Sequence, residues 1–301
     1  MIVISKAPVR IDFAGGWTDV DIFAKGAGGA VVNATINQYV WGKLEIHDSL
    51  DDPHIVDREG MNVAYNSDLP SGSGLGMSSA LNVVWLSLIK SDVSSIEDKK
   101  MIANLAYDLE RMLGILGGKQ DQYASAVGGI NFMEFQDEVT VEPINVAPEV
   151  IQELQDRLVL CYTGRPRLSS NIHENVWGAY RRGEAKTINA LYNLRNVAIR
   201  MKTVLETGDL NEFAELLNQN WRHQKDLDAS VTNPQIDSLF DTAFEAGAVA
   251  GKACGAGGGG CAVFFCSPGT KQQVAQAIET AGSRFIEFAF EFEGLQVDRV
   301  E

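Results

Sequence analysis

The sequence predicts an α+β fold in two domains, β-rich first and helix-rich second. Three observations carry this. Short apolar runs separated by polar or glycine-containing turns fill the first 46 residues, helical apolar spacing dominates from about residue 172 to 246, and a linker places the boundary near residues 148–157. At 301 residues the chain matches two domains of roughly 150 residues each, placed at 1–152 and 153–301.

Taken in order, Ile2–Ile4 and Val9–Phe13 read as strands, followed by Ala30–Ala34 and Tyr39–Ile46. Asp48–Asp57 is acidic, carries Pro53, and reads as a loop with a short strand. Ser78–Lys90 and Ile96–Leu116 are helices, the second with Ile102, Leu105, Ala106, Leu109, Met112 and Leu113 at helical spacing and Gly117-Gly118 at its end. A short helix Asp121–Val127 precedes strand Ile130–Phe135 and its hairpin partner Val139–Ile144. Pro148–Asp156 is a linker with a short helix, and Leu158–Tyr162 starts the second domain as a strand. Helices follow at Ile172–Arg182, Lys186–Glu206, Leu210–Leu227 and Asn233–Ala246. Then come a loop at 252–260, a strand at 261–266, a helix at 270–281 and a strand at 285–292.

Charge narrows the function. Forty acidic against 25 basic residues give a net charge of −15, which disfavours nucleic acid and an anionic membrane surface as partners. Lys6 and Arg10 interrupt the first apolar runs, so no signal peptide is expected, and no apolar run is long enough to span a membrane. Cys161, Cys254, Cys261 and Cys266 match no zinc spacing and read as reduced buried residues, which suits a cytoplasmic protein. His47, His54, His173 and His223 are scattered and carry no pattern of chemistry.

The most informative segment is Leu69 to Ala80, LPSGSGLGMSSA. Gly72, Gly74 and Gly76 alternate with Ser73, Leu75 and Met77, Pro70 precedes them, and Ser78 and Ser79 open a helix. Glycine allows positive φ and close backbone approach, and a helix N-terminus offers unpaired N–H groups, so the segment is a candidate phosphate cradle. An ordinary mobile loop is the alternative. Ser78 and Ser79 could cap the helix or hold a metal ion. Gly118-Lys119 fails the Walker A pattern, since Gln120 follows and Leu113 stands where a glycine is needed. Gly255 to Gly260 satisfies G-x-G-x-x-G but lies between a helix and a strand in the wrong order for a dinucleotide fold.

Three ordered segments resemble the motifs of the GHMP kinases (galactokinase, homoserine kinase, mevalonate kinase, phosphomevalonate kinase). They are Lys6–Asp19 (KAPVRIDFAGGWTD), Leu69–Ala80, and Lys252–Phe264 (KACGAGGGGCAVF). The resemblance covers nearly the whole chain. It implies two α+β domains with ATP and substrate in the cleft between them. Gly118–Phe135 and Tyr162–Ser170 are similar to the D-glycero-D-manno-heptose 7-phosphate kinases, which implies transfer to the anomeric C1 hydroxyl of that sugar phosphate. Gly16-Trp17-Thr18 departs from that subgroup and is similar to fucokinase domains, so a free-sugar 1-kinase is the rival; a catalytically silent sugar-binding protein on the same fold is the rival of another class.

Residue by residue, the resemblance makes Asp121 the catalytic base and Arg10 its basic partner, where the residues alone also allow a helix cap and a strand-surface cation. It makes Glu110, with Ser78, the magnesium ligand set, where a solvated helix face is the plainer reading. ATP and Mg²⁺ are thus the implied cofactors. Gly16, Trp17, Thr18, Asp19, Gln122, Gly257 and Gly258 are the implied substrate contacts, Trp17 being equally a core residue. Arg165 and Arg167, beside Ser169 and Ser170, form a compact basic cluster able to hold a sugar phosphate or simply a charged loop. The expected partner is a small sugar or sugar phosphate, with the protein a monomer or homodimer.

Overall fold

A computed structural model describes residues 1–46, 61–70, 72–164 and 169–300. The loop expected over Asp48–Asp57 lies outside them. The element order is β1 (Ile2–Ala14), α1 (Asp21–Ala27), β2 (Gly29–Ile46), β3 (Met61–Ser67), α2 (Met77–Lys90), α3 (Ile96–Met112), α4 (Gln120–Val127), β4 (Ile130–Phe135) and β5 (Val139–Pro143). It continues with α5 (Pro148–Arg157), β6 (Leu158–Tyr162), α6 (Ser169–Arg181), α7 (Ala185–Thr207), α8 (Leu210–Leu227), α9 (Pro234–Glu245), β7 (Ala248–Ala253), β8 (Cys261–Cys266), α10 (Lys271–Thr280), β9 (Arg284–Ile286) and β10 (Gln296–Val300).

Among the described residues the strands form two antiparallel sheets. The first runs β10-β1-β2-β4-β5, with β3 also paired to β2; the second runs β7-β8-β6-β9. A mixed α+β architecture with a strand-rich first half is therefore what the chain adopts.

The strand count in the first half differs from expectation. Two expected strands fuse into β1 and two more into β2. The polar pair Asn37-Gln38 reads as a turn but is absorbed as a bulge: Pro8 pairs with Tyr39 while Val9 pairs with Ile36. Proline has no N–H for the ladder, so the register slips beside it. Asn37 and Gln38 instead bond outward, the Asn37 N–H donating to the Ala289 carbonyl and Gln38 Nε2 to that of Glu287.

Helix α3 begins as expected, Ser95 and Asp98 forming a reciprocal capping box. It stops at Met112 rather than Leu116, because Gly114 takes φ +74 and turns the chain. Helix α1 and strands β3, β7 and β10 are additions to the expected set, β7 taking up the first two residues of the loop expected at 252–260. The expected strand over 285–292 is only β9 plus a single bridge between Ile36 and Phe290. The chain then turns at Gly294 and returns as β10 to pair with β1.

Burial follows strand alternation. Val9, Ile11 and Phe13 of β1 are at most 1% exposed and join one apolar cluster with residues of α2, α7 and α8. A second cluster gathers β6, β7 and β8 against α6, α7 and α9. Helix α7 serves both, giving Val197, Ala198 and Met201 to the first and Leu191 and Leu194 to the second.

The opposite face of β1 carries charge. Asp12 is 1% exposed and accepts a 2.9 Å bond from Lys252 Nζ on β7, a group with no exposure at all. The same ammonium donates to the Asp12 carbonyl at 2.8 Å. This ion pair ties the first sheet to the second. Removing one member of such a pair strands the other charge in a dry interior. Lys252→Met should therefore cost about 3–5 kcal/mol of folding free energy, read as a lower urea midpoint; an unchanged midpoint would show that Asp12 is rehydrated or neutralised at little cost.

Candidate active site

Strand β1 places Arg10 two residues before Asp12 on the same inward face. The Arg10 guanidinium is 2% exposed and grips Asp121 through Nε at 2.9 Å and Nη2 at 2.6 Å, both to Oδ1. Its Nη1 donates to the Gly74 carbonyl at 2.9 Å, and its backbone N–H to that of Leu75 at 3.0 Å. Burial works against the guanidinium's charge, yet Asp121 and Asp12 together hold it above its ordinary value.

Gly72, Gly74 and Gly76 have φ of +75, +80 and +80, the conformation their alternation predicts. Gly76 is the N-cap of α2, and no side chain caps that end, so its first N–H groups lack a side-chain acceptor, as an anion-binding helix terminus requires. A Cβ on Gly76 would lie 3.1 Å from Asp121 Cγ, which sets how closely the loop approaches that carboxylate. Gly260 braces the loop from behind: a Cβ there would stand 2.6 Å from the Ser73 carbonyl, which accepts the Cys261 N–H at 2.7 Å.

A cavity of about 200 Å³ opens beside this loop, lined by Arg10, Asp121, Asp19, Ser78, Ser79 and Glu110 among others. Glu110 is 5% exposed; its Oε1 accepts from Asn82 Nδ2 at 2.9 Å and its Oε2 from Gln122 Nε2 at 2.8 Å. Burial pushes its pKa up, against hydrogen bonds from Ser79, Asn82 and Gln122. All three are neutral donors, so this carboxylate is solvated but not charge-paired.

Asp19 sits in the turn after β1, 3% exposed, and accepts the Gln120 backbone N–H at 3.0 Å. Its carboxyl is pushed up to about 7, first by burial, with the charges of Asp121 and Asp12 adding to it against the Gln120 N–H. Gly118 has a steric role here: a Cβ would fall 1.8 Å from Asp19 Oδ2.

The expected substrate contacts separate into two groups. Gly16, Trp17 and Asp19 line the cavity. Thr18 does not: its hydroxyl is fully buried, donates to the Gly15 carbonyl at 2.7 Å and accepts the Ala30 N–H at 3.0 Å. Gln122 is also fully buried and outside the cavity lining, its Nε2 donating to Glu110. Gly257 and Gly258 pack on Val231, whose carbonyl accepts the Gly258 N–H at 2.7 Å; the cavity takes Gly255 and Ala256 from that loop instead. Arg165 and Arg167 lie outside the described residues.

Four cavity residues carried no sequence signal. His173 on α6 packs against Trp17 with ring centroids 4.5 Å apart, Gln120 precedes Asp121, and Ile115 and Leu116 follow the early end of α3. A second, more apolar groove of about 470 Å³ adjoins the loop, lined by Val40, Tyr65, Gly72, Met77, Ser78 and Leu81 with others.

Comparison with known proteins identifies the family of the chain. The family model for the GHMP kinases N terminal domain matches residues 38–129, and that for GHMP kinases C terminal matches residues 201–284. The D-glycero-alpha-D-manno-heptose 7-phosphate kinase of Campylobacter jejuni is 32% identical, over 98% of this chain and 98% of its own. A crystal structure named as a D-glycero-D-manno-heptose 1-phosphate kinase from Bacteriodes thetaiotaomicron superposes with a TM-score of 0.78 at 30% identity, covering 99% of each chain. The bifunctional fucokinase/GDP-fucose pyrophosphorylase of Arabidopsis thaliana is 26% identical over 91% of this chain, which spans 31% of that protein.

Asp19 supports a pH test. A carboxyl whose folded pKa exceeds its unfolded value of about 4 keeps a proton that the unfolded chain releases. Its stabilising contribution is full below about pH 4 and is lost as pH rises through about 7. Asp19→Asn, neutral throughout, should gain stability relative to the parent between pH 5 and pH 8 in urea denaturation. A parallel pair of curves would mean that Asp19 is ionised in the fold across that range.

Proposed function

The chain belongs to the GHMP kinase family, and on that footing we propose that it transfers the γ-phosphoryl group of ATP to the anomeric C1 hydroxyl of D-glycero-D-manno-heptose 7-phosphate, giving the 1,7-bisphosphate and ADP. It is a sugar kinase; the sugar and the reacting position are the proposed part. The single observation behind the mechanism is the Asp121 carboxylate held by Arg10 at the mouth of the glycine loop.

Phosphoryl transfer needs positioning and charge neutralisation more than covalent help. The α2 N-terminus and the Gly72–Ser79 backbone receive the phosphates, and the apolar groove beside Tyr65 and Met77 receives the base. Asp121 orients the attacking hydroxyl and takes its proton. Arg10 keeps that carboxylate in place and lends positive charge to the transferring group. Glu110 and Ser78 fit a Mg²⁺ ion: a hydroxyl and a buried carboxylate without a cationic partner are hard oxygen donors. Bound there, the ion would neutralise phosphate charge. The proposed domains, 1–152 and 153–301, meet at this cleft, with β10 crossing back to the first sheet.

The heptose phosphate assignment rests on the relatives' names, which differ in where the substrate's phosphate sits. Trp17 in the cavity wall favours the fucokinase-like alternative. ADP release with Mg·ATP against heptose 7-phosphate, heptose 1-phosphate, fucose, mannose and mevalonate tests both. Turnover confined to the 7-phosphate supports the proposal. Turnover of the 1-phosphate alone moves chemistry to the other end of the sugar, turnover of free fucose discards the phosphate requirement, and sugar binding without ADP release leaves a silent binder. Asp121→Asn should lower kcat about 10²- to 10⁴-fold with ATP affinity little changed; near-parental turnover would remove Asp121 from the base role.

A further inference from the structure

We infer that Gln120 is a substrate-specificity residue whose side-chain carbonyl accepts a hydrogen bond from a sugar hydroxyl close to the reacting one. The inference rests on the sugar-kinase reading above and deepens it.

Gln120 opens α4, directly before Asp121, and lines the same cavity. It is 5% exposed, and its Oε1 is buried without a hydrogen-bond partner among the described residues. A buried amide carbonyl left unpaired costs free energy, so such an atom beside a reaction centre marks a place where a ligand completes the bonding. Its backbone cannot drift, because the N–H is held by Asp19 at 3.0 Å. The side chain thus projects from a fixed point between the proposed base and Asp19.

The chemistry required is an acceptor, so the ligand group must donate; a hydroxyl does, and a phosphate dianion does not. The indole N–H of Trp17, in the same cavity lining, is likewise buried and unpartnered. One orphan acceptor and one orphan donor in one cavity wall match a polyhydroxylated substrate, since each hydroxyl both donates and accepts. Gln122, two residues on, also has an unpartnered Oε1, but it is fully buried and does not line the cavity, so no ligand there reaches it. A simple alcohol with one reacting hydroxyl would leave Gln120 unsatisfied, so this residue selects for sugars over such acceptors.

The test uses the full chain and whichever sugar gives the highest turnover, together with its singly deoxygenated analogues. Gln120→Met keeps side-chain length and removes the acceptor. KM for the sugar should rise roughly 10- to 100-fold, with KM for ATP unchanged. In the parent, one particular deoxy analogue should suffer a similar loss, and in the Met variant that analogue and the full sugar should become equivalent. A kcat drop at constant sugar KM, with the deoxy penalties intact, would show that Gln120 acts only by seating α4 and would overturn the assignment. Gln120→Glu keeps an acceptor and guards against a misfolded Met variant: its sugar KM should rise far less, and an equal rise would count against the acceptor role. If the parent phosphorylates no sugar at all, the assignment falls with the reading it rests on, whereas full parental turnover with an unaltered Met variant defeats the assignment alone.

Discussion

The site is held by a closed ring of interactions that begins and ends on β1. Arg10 leaves the strand to grip Asp121 at the start of α4. The N–H before Asp121, that of Gln120, returns to Asp19, which lies in the turn after the same strand. Asp121, its cationic partner Arg10 and the carboxylate of Asp19 are therefore placed by one strand and one helix end. Asp12, between Arg10 and the turn, anchors the strand to β7 through Lys252. Gly16 permits this, since a Cβ there would lie 2.3 Å from Asp12 Oδ2. Two inward charges on one strand are tolerable because each has its own ion-pair partner, Lys252 buried and Asp121 partly exposed at the cavity.

The ring also settles the electrostatics. The cavity is walled by Asp19, Asp121 and Glu110 in a chain of net charge −15. A nucleotide phosphate enters such a place only if positive potential is local. The glycine loop supplies oriented N–H groups, α2 its dipole, and Arg10 a full charge. Asp19, pushed up to about 7, carries less than a full negative charge near neutrality, which softens the repulsion. Glu110 has only neutral donors around it. A carboxylate buried without a counter-ion is expensive unless hydrogen bonds or a cation offset the cost.

Much of this was legible in the chain because it depends on residue type at short range. Alternating glycines predict alternating positive φ, and the helix after them follows from its apolar spacing. What escaped depends on partners far away in sequence. Gly118 reads as a helix terminator, yet its lack of a side chain is demanded by Asp19. Thr18 and Gln122 are substrate contacts by resemblance, but each position along a helix rotates a side chain by about 100°, enough to exchange cavity for interior. Gln120 and Gln122, two positions apart on α4, point about 200° apart, and only Gln120 lines the cavity. Strand β10 was hidden because five half-exposed edge residues carry little pattern of their own; their partner is at the opposite end of the chain.

Trp17 shows how the backbone shapes the cavity wall. Its φ of +80 is a conformation that a bulky residue rarely adopts, at a cost of order 1–3 kcal/mol. The surroundings impose it: Gly15 must stay close to the Ala30 carbonyl, the Thr18 N–H bonds back to the Gly15 carbonyl at 3.1 Å, and Thr18 is locked to Ala30. A glycine would relieve the strain but remove the indole that packs on His173 and lines the cavity. Strain retained at a cavity wall, where a smaller residue would be more stable, is understandable if the indole is needed there. Since the turn fixes where that ring stands, the width of the acceptor pocket is set by backbone geometry rather than by side-chain adjustment.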